Sequence, residues 1–207
     1  MLRLFKRAFK MNEIPLDYSK GFNPHPKMGF AQPLSLGYTA SNEFIEFETV
    51  TPCDTEKVNE LMTASMPLGI KIAGTYELNT KAKSLASIVE EALYTVSIPK
   101  TEEVSCIDFD KVIEDYLAQK EILAEKKQKK TKKIITKHIK DQIKGIQAVH
   151  SDTHVKLKMM LDCGSNSNLS PESVITTLCK FASIDVPRYE ISVNRDCLIF
   201  KDNYIPA

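Results

Sequence analysis

The residues best suited to chemistry lie in one short stretch, Tyr18-Ser19-Lys20-Gly21-Phe22-Asn23-Pro24-His25-Pro26-Lys27. Each proline fixes φ and pushes the residue before it into extended backbone, whereas the glycine is free to adopt a positive φ. We therefore predict a stiff loop that presents an imidazole, a carboxamide, a hydroxyl and lysines. The predicted binding residues are Tyr18, Ser19, Gly21, Phe22, Asn23, His25 and Lys27.

His25 is the strongest candidate for chemistry within this loop. Histidine titrates near neutral pH, so it could act as an acid–base group, a metal ligand or a phosphate contact. Tyr18, Ser19 and Asn23 could hold a substrate or orient the ring. The alternative is a structural loop in which Asn23 caps a turn and His25 makes one backbone hydrogen bond. No Ser/His/Asp or Cys/His set is evident in the sequence, so binding is favoured over catalysis and no catalytic residue is assigned.

Other patterns that could hold a metal or cofactor are weaker. His150 and His154 flank a predicted turn with Asp152, but two imidazoles without a third strong ligand fit exposed turn residues better. The cysteines, at positions 53, 106, 163, 179 and 197, are scattered and contain no Cys-x-x-Cys. This spacing is typical of reduced thiols and argues against an iron–sulfur cluster. No glycine-rich phosphate motif occurs, so we predict neither a metal site nor a cofactor.

Lysine is concentrated in one segment, although the net charge is only +1. Between residues 120 and 144, ten lysines and three acidic residues give a charge of +7. Such a patch could bind a phosphate backbone. The candidate contacts are Lys126, Lys129, Lys130, Lys132 and Lys133. No aromatic residue is interleaved for base stacking, and the alternative is a solvated edge strand that lysine protects from aggregation.

Hydrophobic periodicity predicts the elements that position the loop. The first 80 residues give the order helix, strand, strand, helix, strand. The predicted segments are a helix from Met1, strands over Met28–Leu36 and Glu43–Val50, a helix opened by Asp54, and a strand over Ile70–Leu78. One further strand in front would complete a βαββαβ unit, the ferredoxin-like plan. The first helix starts at Met1 without a capping side chain, so we expect upstream sequence to be missing.

The second half of the chain repeats this order. Its predicted segments are a strand over Glu91–Ile98, a helix over Asp108–Gln119, lysine-rich strands over Glu121–Gln128 and Lys130–His138, a hairpin of Ile143–Val149 with Val155–Leu161, a helix begun by Ser170 and Pro171, and a closing hairpin of Tyr189–Val193 with Cys197–Phe200 that turns at Asn194–Asp196. We therefore predict an α+β fold of two ferredoxin-like antiparallel-sheet sandwiches, the first lacking its N-terminal strand. The predicted domains are residues 1–80, with the loop, and 88–207, with the lysine-rich strands. The unpaired sheet edge of the first domain could support a homodimer.

Cellular location is predicted from what the sequence lacks. No apolar run reaches the length that spans a bilayer, and the N-terminus has no secretory signal pattern. Together with the scattered thiols, this predicts a cytoplasmic protein that does not bind membranes.

Several short motifs carry a family resemblance. The run from Arg7-Ala8 through Ile14-Pro15-Leu16 to the Gly-Phe-Asn-Pro-His-Pro core, then Phe30-Ala31, Pro33-Leu34, Leu36-Gly37 and Glu43-Phe44, resembles the bacterial radical-SAM-linked protein family. The resemblance covers essentially the whole chain and implies a domain of unknown function, encoded next to or fused to a radical SAM protein. It also implies a strand and a Ser-His-Leu-Asp segment ahead of the first helix, both missing here. Without cluster-binding cysteines, the chain would be associated with radical SAM chemistry rather than perform it.

Three functional hypotheses follow from these observations. The leading one is a non-catalytic accessory or substrate-binding protein of a nearby-encoded radical SAM enzyme, with Ser19–Lys27 as its binding surface. The second is an RNA-binding module that supports RNA modification, because the lysine segment accompanies a ferredoxin-like plan that many RNA binders share. The third is an enzyme that uses His25 as an acid–base group or ligand.

Overall fold

The computed structural model describes residues 1–78, 83–127 and 134–204 of the chain. The helices in these ranges are α1 (Leu2–Met11), α2 (Thr55–Ser65), α3 (Leu85–Ile88), α4 (Glu102–Ser105), α5 (Phe109–Ala118) and α6 (Pro171–Phe181). The strands are β1 (Met28–Phe30), β2 (Thr39–Ala40), β3 (Ile45–Phe47), β4 (Val89–Pro99), β5 (Leu123–Lys127), β6 (Ile134–His138), β7 (Ile143–His150), β8 (His154–Asp162) and β9 (Ser192–Phe200). No helix in the described part is long and apolar enough to cross a membrane.

The chain divides into two compact units. The first comprises Met1–Ala31, Phe44–Ile88 and the chain end from residue 203, and the second comprises Gln32–Glu43 and Val89–Asp202. The predicted domains also change over near residue 88, but they kept segment 32–43 in the first domain. The segment belongs to the second unit because β2 pairs there in parallel with β9.

The second unit is built on a five-stranded sheet in the order β2-β9-β4-β8-β7. Four of its strands and two helices follow one another as β4, α5, β7, β8, α6 and β9, with α4 added before α5 and with β5 and β6 inserted between α5 and β7. Because β4 pairs antiparallel with β8 and β9, and β7 pairs antiparallel with β8, these elements match the βαββαβ ferredoxin-like plan. Alternate strand residues point to one face, which buries Val96, Leu157 and Val193. The predicted α+β class is confirmed.

The two long helices of this unit begin where the sequence predicts. The side chain of Asp108 accepts a hydrogen bond from the N–H of Lys111, and that of Ser170 accepts one from the N–H of Glu172. Pro171 occupies the first turn of α6, where a missing N–H costs nothing. These caps satisfy N–H groups that a helix start leaves unpaired.

The end of the chain corrects one prediction. Instead of a hairpin turning at Asn194–Asp196, Ser192–Phe200 is a single strand that pairs antiparallel with β4. The register shifts at Asp196, which forms a β-bulge. Thr95 Oγ1 and Asn194 Nδ2 donate to the two carboxylate oxygens of Asp196, each at 2.6 Å. The polar residues that suggested a turn are therefore accommodated within a strand.

The first unit has a smaller sheet and a compact apolar core. β1 and β3 pair antiparallel, with Met28 opposite Phe47. The rings of Phe9 and Phe47 lie with their centroids 4.6 Å apart. The buried core residues come from α1, from α2 and from the segment that directly follows α1. They are Phe5, Ala8, Phe9, Ile14, Leu16, Val58 and Met62.

Two strand predictions in this unit are wrong in extent or type. Only Met28–Phe30 of the predicted strand Met28–Leu36 forms a ladder, and Pro33 further along cannot donate to one. Segment 70–78 is irregular backbone rather than a strand. Its side chains Ile70 and Ile72 still pack against the core, so its apolar residues cover the core without joining a sheet.

Candidate functional site

The candidate site is the loop formed by residues 18–27, called here the 18–27 loop. Tyr18 and Pro26 form an antiparallel bridge at its base. The N–H of Ser19 donates to the carbonyl oxygen of His25 at 2.8 Å, and the N–H of His25 donates to Ser19 Oγ at 3.0 Å. These bonds close the loop into a tight, hairpin-like structure.

A set of charges, called here the Lys27 clamp, ties the base of the loop to the segment after β3. Lys27 Nζ lies 2.6 Å from Asp17 Oδ2 and 2.7 Å from Glu48 Oε2. The N–H of Glu48 donates to the Lys27 carbonyl at 2.9 Å, and the N–H of Asp17 donates to the Glu48 carbonyl at 2.8 Å. Hydrogen bonding to Lys27 holds the pKa of Asp17 below its ordinary value, and the two carboxylates raise the pKa of Lys27. Lys27 is therefore an anchor of the loop rather than a free cation.

The tip of the loop presents its side chains to solvent. Phe22 is fully exposed, and Tyr18 is about half exposed. Asn23 and His25 are also exposed. Gly21 has φ +147°, a conformation that glycine adopts without strain. The loop thus displays an aromatic ring, a carboxamide and an imidazole on a fixed backbone.

The internal bonds of the loop limit the chemistry it can perform. Ser19 Oγ is occupied by the N–H of His25, not by its imidazole, so these two residues do not form a nucleophile–base pair. In the ranges that the structure describes, no three His, Cys, Asp or Glu side chains converge as metal ligands. The arrangement suits binding, and the catalytic role considered for His25 stays a prediction.

The predicted lysine patch falls largely outside the described residues. Lys129, Lys130, Lys132 and Lys133 lie there, whereas Lys126 belongs to β5 and pairs with Ile135 of β6. Both segments contain a strand, as predicted, and the structure pairs β5 and β6 as an antiparallel ribbon; all five residues of β6 are exposed. Nucleic-acid binding by this patch stays a prediction.

His150 and His154 lie at the adjoining ends of β7 and β8 but contact different neighbours. His150 Nε2 is 3.9 Å from Asp110 Oδ2. His154 Nδ1 is 2.9 Å from Thr153 Oγ1.

Sequence reasoning missed a buried ion pair in the second unit. Arg195, on β9, is only 2% exposed. Its Nε and Nη2 donate to the two carboxylate oxygens of Glu43 at 2.6 and 2.5 Å, and Nη2 also donates to the Gln32 carbonyl at 2.7 Å. This bidentate geometry offsets the cost of burying the charge. No local signal could have revealed it, because the partners are 152 residues apart.

A small cleft of about 60 Å³ lies beside Arg195, lined in part by Tyr38 and Tyr94. Tyr38 donates to Glu172 Oε1 at 3.0 Å, and burial together with this carboxylate raises the pKa of Tyr38 to about 12. The Tyr94 hydroxyl lies 3.9 Å from Cys163 Sγ, and burial raises the pKa of both groups. Burial therefore favours the protonated forms of these three groups.

The fold and the site together define an α+β protein that presents a rigid, exposed loop from its smaller unit. Residues 1–171 match the model of a family described as an uncharacterized protein conserved in bacteria (DUF2344). The match spans most of the chain, including the whole loop, and the chain therefore belongs to this bacterial family. A search of curated proteins finds no match.

Proposed function

We propose that this chain is a non-catalytic accessory protein that binds a radical SAM enzyme through the 18–27 loop. The observation that carries the proposal is Phe22, a fully exposed aromatic side chain on a loop whose backbone is fixed from within. Burying such a ring in a partner's pocket is strongly favourable.

Three features favour binding over catalysis at this loop. Aromatic side chains dominate the energetics of protein interfaces, and Phe22 and Tyr18 supply two on one loop. A loop already held in one conformation loses little entropy on association, which raises affinity. The polar groups that could have served chemistry, Ser19 and Lys27, are instead used to hold the loop.

The resemblance of the Gly-Phe-Asn-Pro-His-Pro core to radical-SAM-linked proteins supports the choice of partner. The chain has no clustered cysteine motif of the kind that holds an iron–sulfur cluster. In this proposal the radical chemistry belongs to the partner, and the present chain positions that enzyme or its substrate.

A co-purification experiment tests the proposal. The tagged chain is incubated with the purified radical SAM protein encoded nearby, and retention is compared for wild type, Phe22→Ala and His25→Ala. We expect Phe22→Ala to reduce affinity about tenfold or more, with a smaller loss for His25→Ala. Leu68→Ala is the matched control, because Leu68 is a fully exposed apolar side chain in the same unit but outside the loop. Equal retention of all four proteins, or retention of none, would contradict the proposal.

RNA binding is the second candidate function, favoured by the exposed strand β6 and the +7 segment that includes it. Contacts to phosphates predict an affinity that falls steeply with salt concentration. Replacing Lys126, Lys129, Lys130 and Lys133 with Gln should then abolish most of the binding. The charge-matched control replaces Lys10, Lys57, Lys71 and Lys83, all exposed in the first unit. Equal losses in both variants would indicate general electrostatic attraction instead of a site.

A further inference from the structure

The larger sheet, in the second unit, has β7 as one of its edge strands. β7 (Ile143–His150) is the last strand of the five-stranded sheet and pairs with β8 on one side. Within the described residues, no strand pairs with its other side. An eight-residue edge presents a row of backbone N–H and C=O groups that can accept an added strand.

A groove runs beside this edge, between β7 and α5. It has a volume of about 370 Å³, within the range of ligand-binding clefts. Its apolar lining comes from Ile113 of α5 and from Ile146 and Ala148 of β7. At one end, His150 Nε2 lies 3.9 Å from Asp110 Oδ2, which brings the start of α5 beside the end of β7. We call this feature the β7–α5 groove.

The helix side of the groove is acidic. Asp110 and Glu114 line it, and both are exposed. They are four residues apart on α5, so they share one face of the helix. In the part of the chain that the structure describes, Glu114 forms no ion pair and Asp110 is close only to His150. The groove therefore carries two carboxylates, of which Asp110 lies beside His150 and Glu114 forms no ion pair within the described residues, next to the edge of β7.

We propose that the β7–α5 groove binds an extended basic peptide segment of a partner protein, which adds to β7 as a further strand. Backbone hydrogen bonds to β7 would supply affinity, and the acidic wall would select the sequence. Residues four apart on a helix are separated by about 6 Å along its axis, and same-face residues of a strand recur every 6 to 7 Å or so. Lysines two residues apart in the peptide can therefore face Asp110 and Glu114 together. This site is separate from the 18–27 loop and does not depend on the function proposed for it.

Labelled peptides test both parts of the proposal. The probe is the capped, fluorescein-labelled hexapeptide Thr-Lys-Val-Lys-Val-Thr, titrated with the full chain and followed by anisotropy. One control peptide replaces each Lys with Glu, and another is N-methylated at its four central residues, which removes backbone donors but keeps the charges. We expect saturable binding of the basic peptide, no binding of the acidic one, and at least about tenfold weaker binding of the N-methylated one.

Variants of the chain test the groove itself. The double substitution Asp110→Asn, Glu114→Gln should weaken binding of the basic peptide about fivefold. Asp115→Asn, an exposed acidic residue of the same helix that does not line the groove, is the control and should leave affinity unchanged. Gln147 is an exposed lining residue, so Gln147→Lys should weaken binding and Gln147→Glu should strengthen it.

Three outcomes would overturn the proposal. The first is equal affinity for the N-methylated peptide, which would show attraction between charges without strand addition. The second is unchanged affinity in the double variant while circular dichroism shows that the variant is folded. The third is the absence of saturable binding of the basic peptide up to about 1 mM.

Discussion

The Lys27 clamp of the first unit and the Arg195–Glu43 pair of the second use the same chemistry in opposite surroundings. The side chain of Lys27 is 40% exposed, whereas that of Arg195 is 2% exposed. Water and salt compete with an exposed pair, so it contributes little to the free energy of folding. A buried pair cannot lose one partner without leaving a charge uncompensated. The same kind of contact therefore fixes a surface loop in one region and secures the architecture in the other.

The largest expected effect is that of Glu43→Ala. The substitution leaves the buried guanidinium of Arg195 without a carboxylate partner, which should lower the free energy of unfolding by about 3 kcal/mol. Urea unfolding followed by circular dichroism measures the change. The control is Glu90→Ala, which breaks the exposed pair of Glu90 with Lys201 at 3.7 Å and should cost less than about 1 kcal/mol. Similar losses in the two variants would show that burial does not distinguish these pairs.

The next largest effect on the free energy of unfolding is expected at the tip of the 18–27 loop. There, stability depends on backbone conformation rather than on charge. Gly21 has φ +147° and open space around its Cα. Gly21→Ala should therefore cost about 1 to 2 kcal/mol through backbone strain without any clash. Gly29→Ala is the matched control, since Gly29 also faces open space but lacks a positive φ. If the two substitutions had the same effect on urea unfolding, the loop would not require its observed backbone.

The 18–27 loop could be predicted from sequence because its determinants are local. Pro24 and Pro26 act on their own backbone and on the residue before them, and Gly21 permits its own φ. The ion pair of Arg195 and Glu43 could not be predicted, because it depends on segments that are distant in the chain. The polar run around Arg195 matched turn chemistry, and only the pairing of β9 with β4 revealed it as a bulged strand.

The same distinction separates the β7–β8 hairpin, whose prediction is confirmed, from segment 70–78, whose prediction as a strand is wrong. The hairpin of β7 and β8 combines alternating polarity with a short turn, and both signals are local. Segment 70–78 has apolar residues but pairs with no strand among the described residues. Strand formation depends on a partner as much as on composition, and a single sequence does not show whether a partner is present.

A smaller effect is expected from removing the cation of the clamp. Lys27→Gln should leave the urea midpoint nearly unchanged, because the clamp is exposed. It should instead speed amide hydrogen exchange at Glu48, whose N–H bonds across the base of the loop, since local opening becomes easier. Lys20→Gln is the control, because Lys20 lies in the loop and forms no ion pair within the described ranges. Unchanged exchange in Lys27→Gln would show that the backbone bonds hold the loop without the clamp.

The smallest expected effect is the dependence of the clamp on pH. Hydrogen bonding to Lys27 lowers the pKa of Asp17 in the folded chain, so the unfolded chain binds more protons in acid. The stability that Asp17 contributes is complete above the ordinary aspartate pKa of about 3.9 and is lost as the pH falls through the lowered folded value. Wild type should therefore lose slightly more stability between about pH 5 and pH 2 than Asp17→Asn, as measured by urea unfolding.

Carboxyl NMR titration measures the pKa of Asp17 directly. Repeating it at several salt concentrations distinguishes the exposed Lys27 clamp from the buried Arg195–Glu43 pair. Added salt screens exposed charges, so it should move the pKa of Asp17 back toward the ordinary value. Salt should have much less effect on the stability lost in Glu43→Ala, because the Arg195 guanidinium is shielded from solvent. If the pKa of Asp17 were ordinary at low salt, Lys27 would not engage this carboxylate in solution. The loop would then depend on its backbone alone.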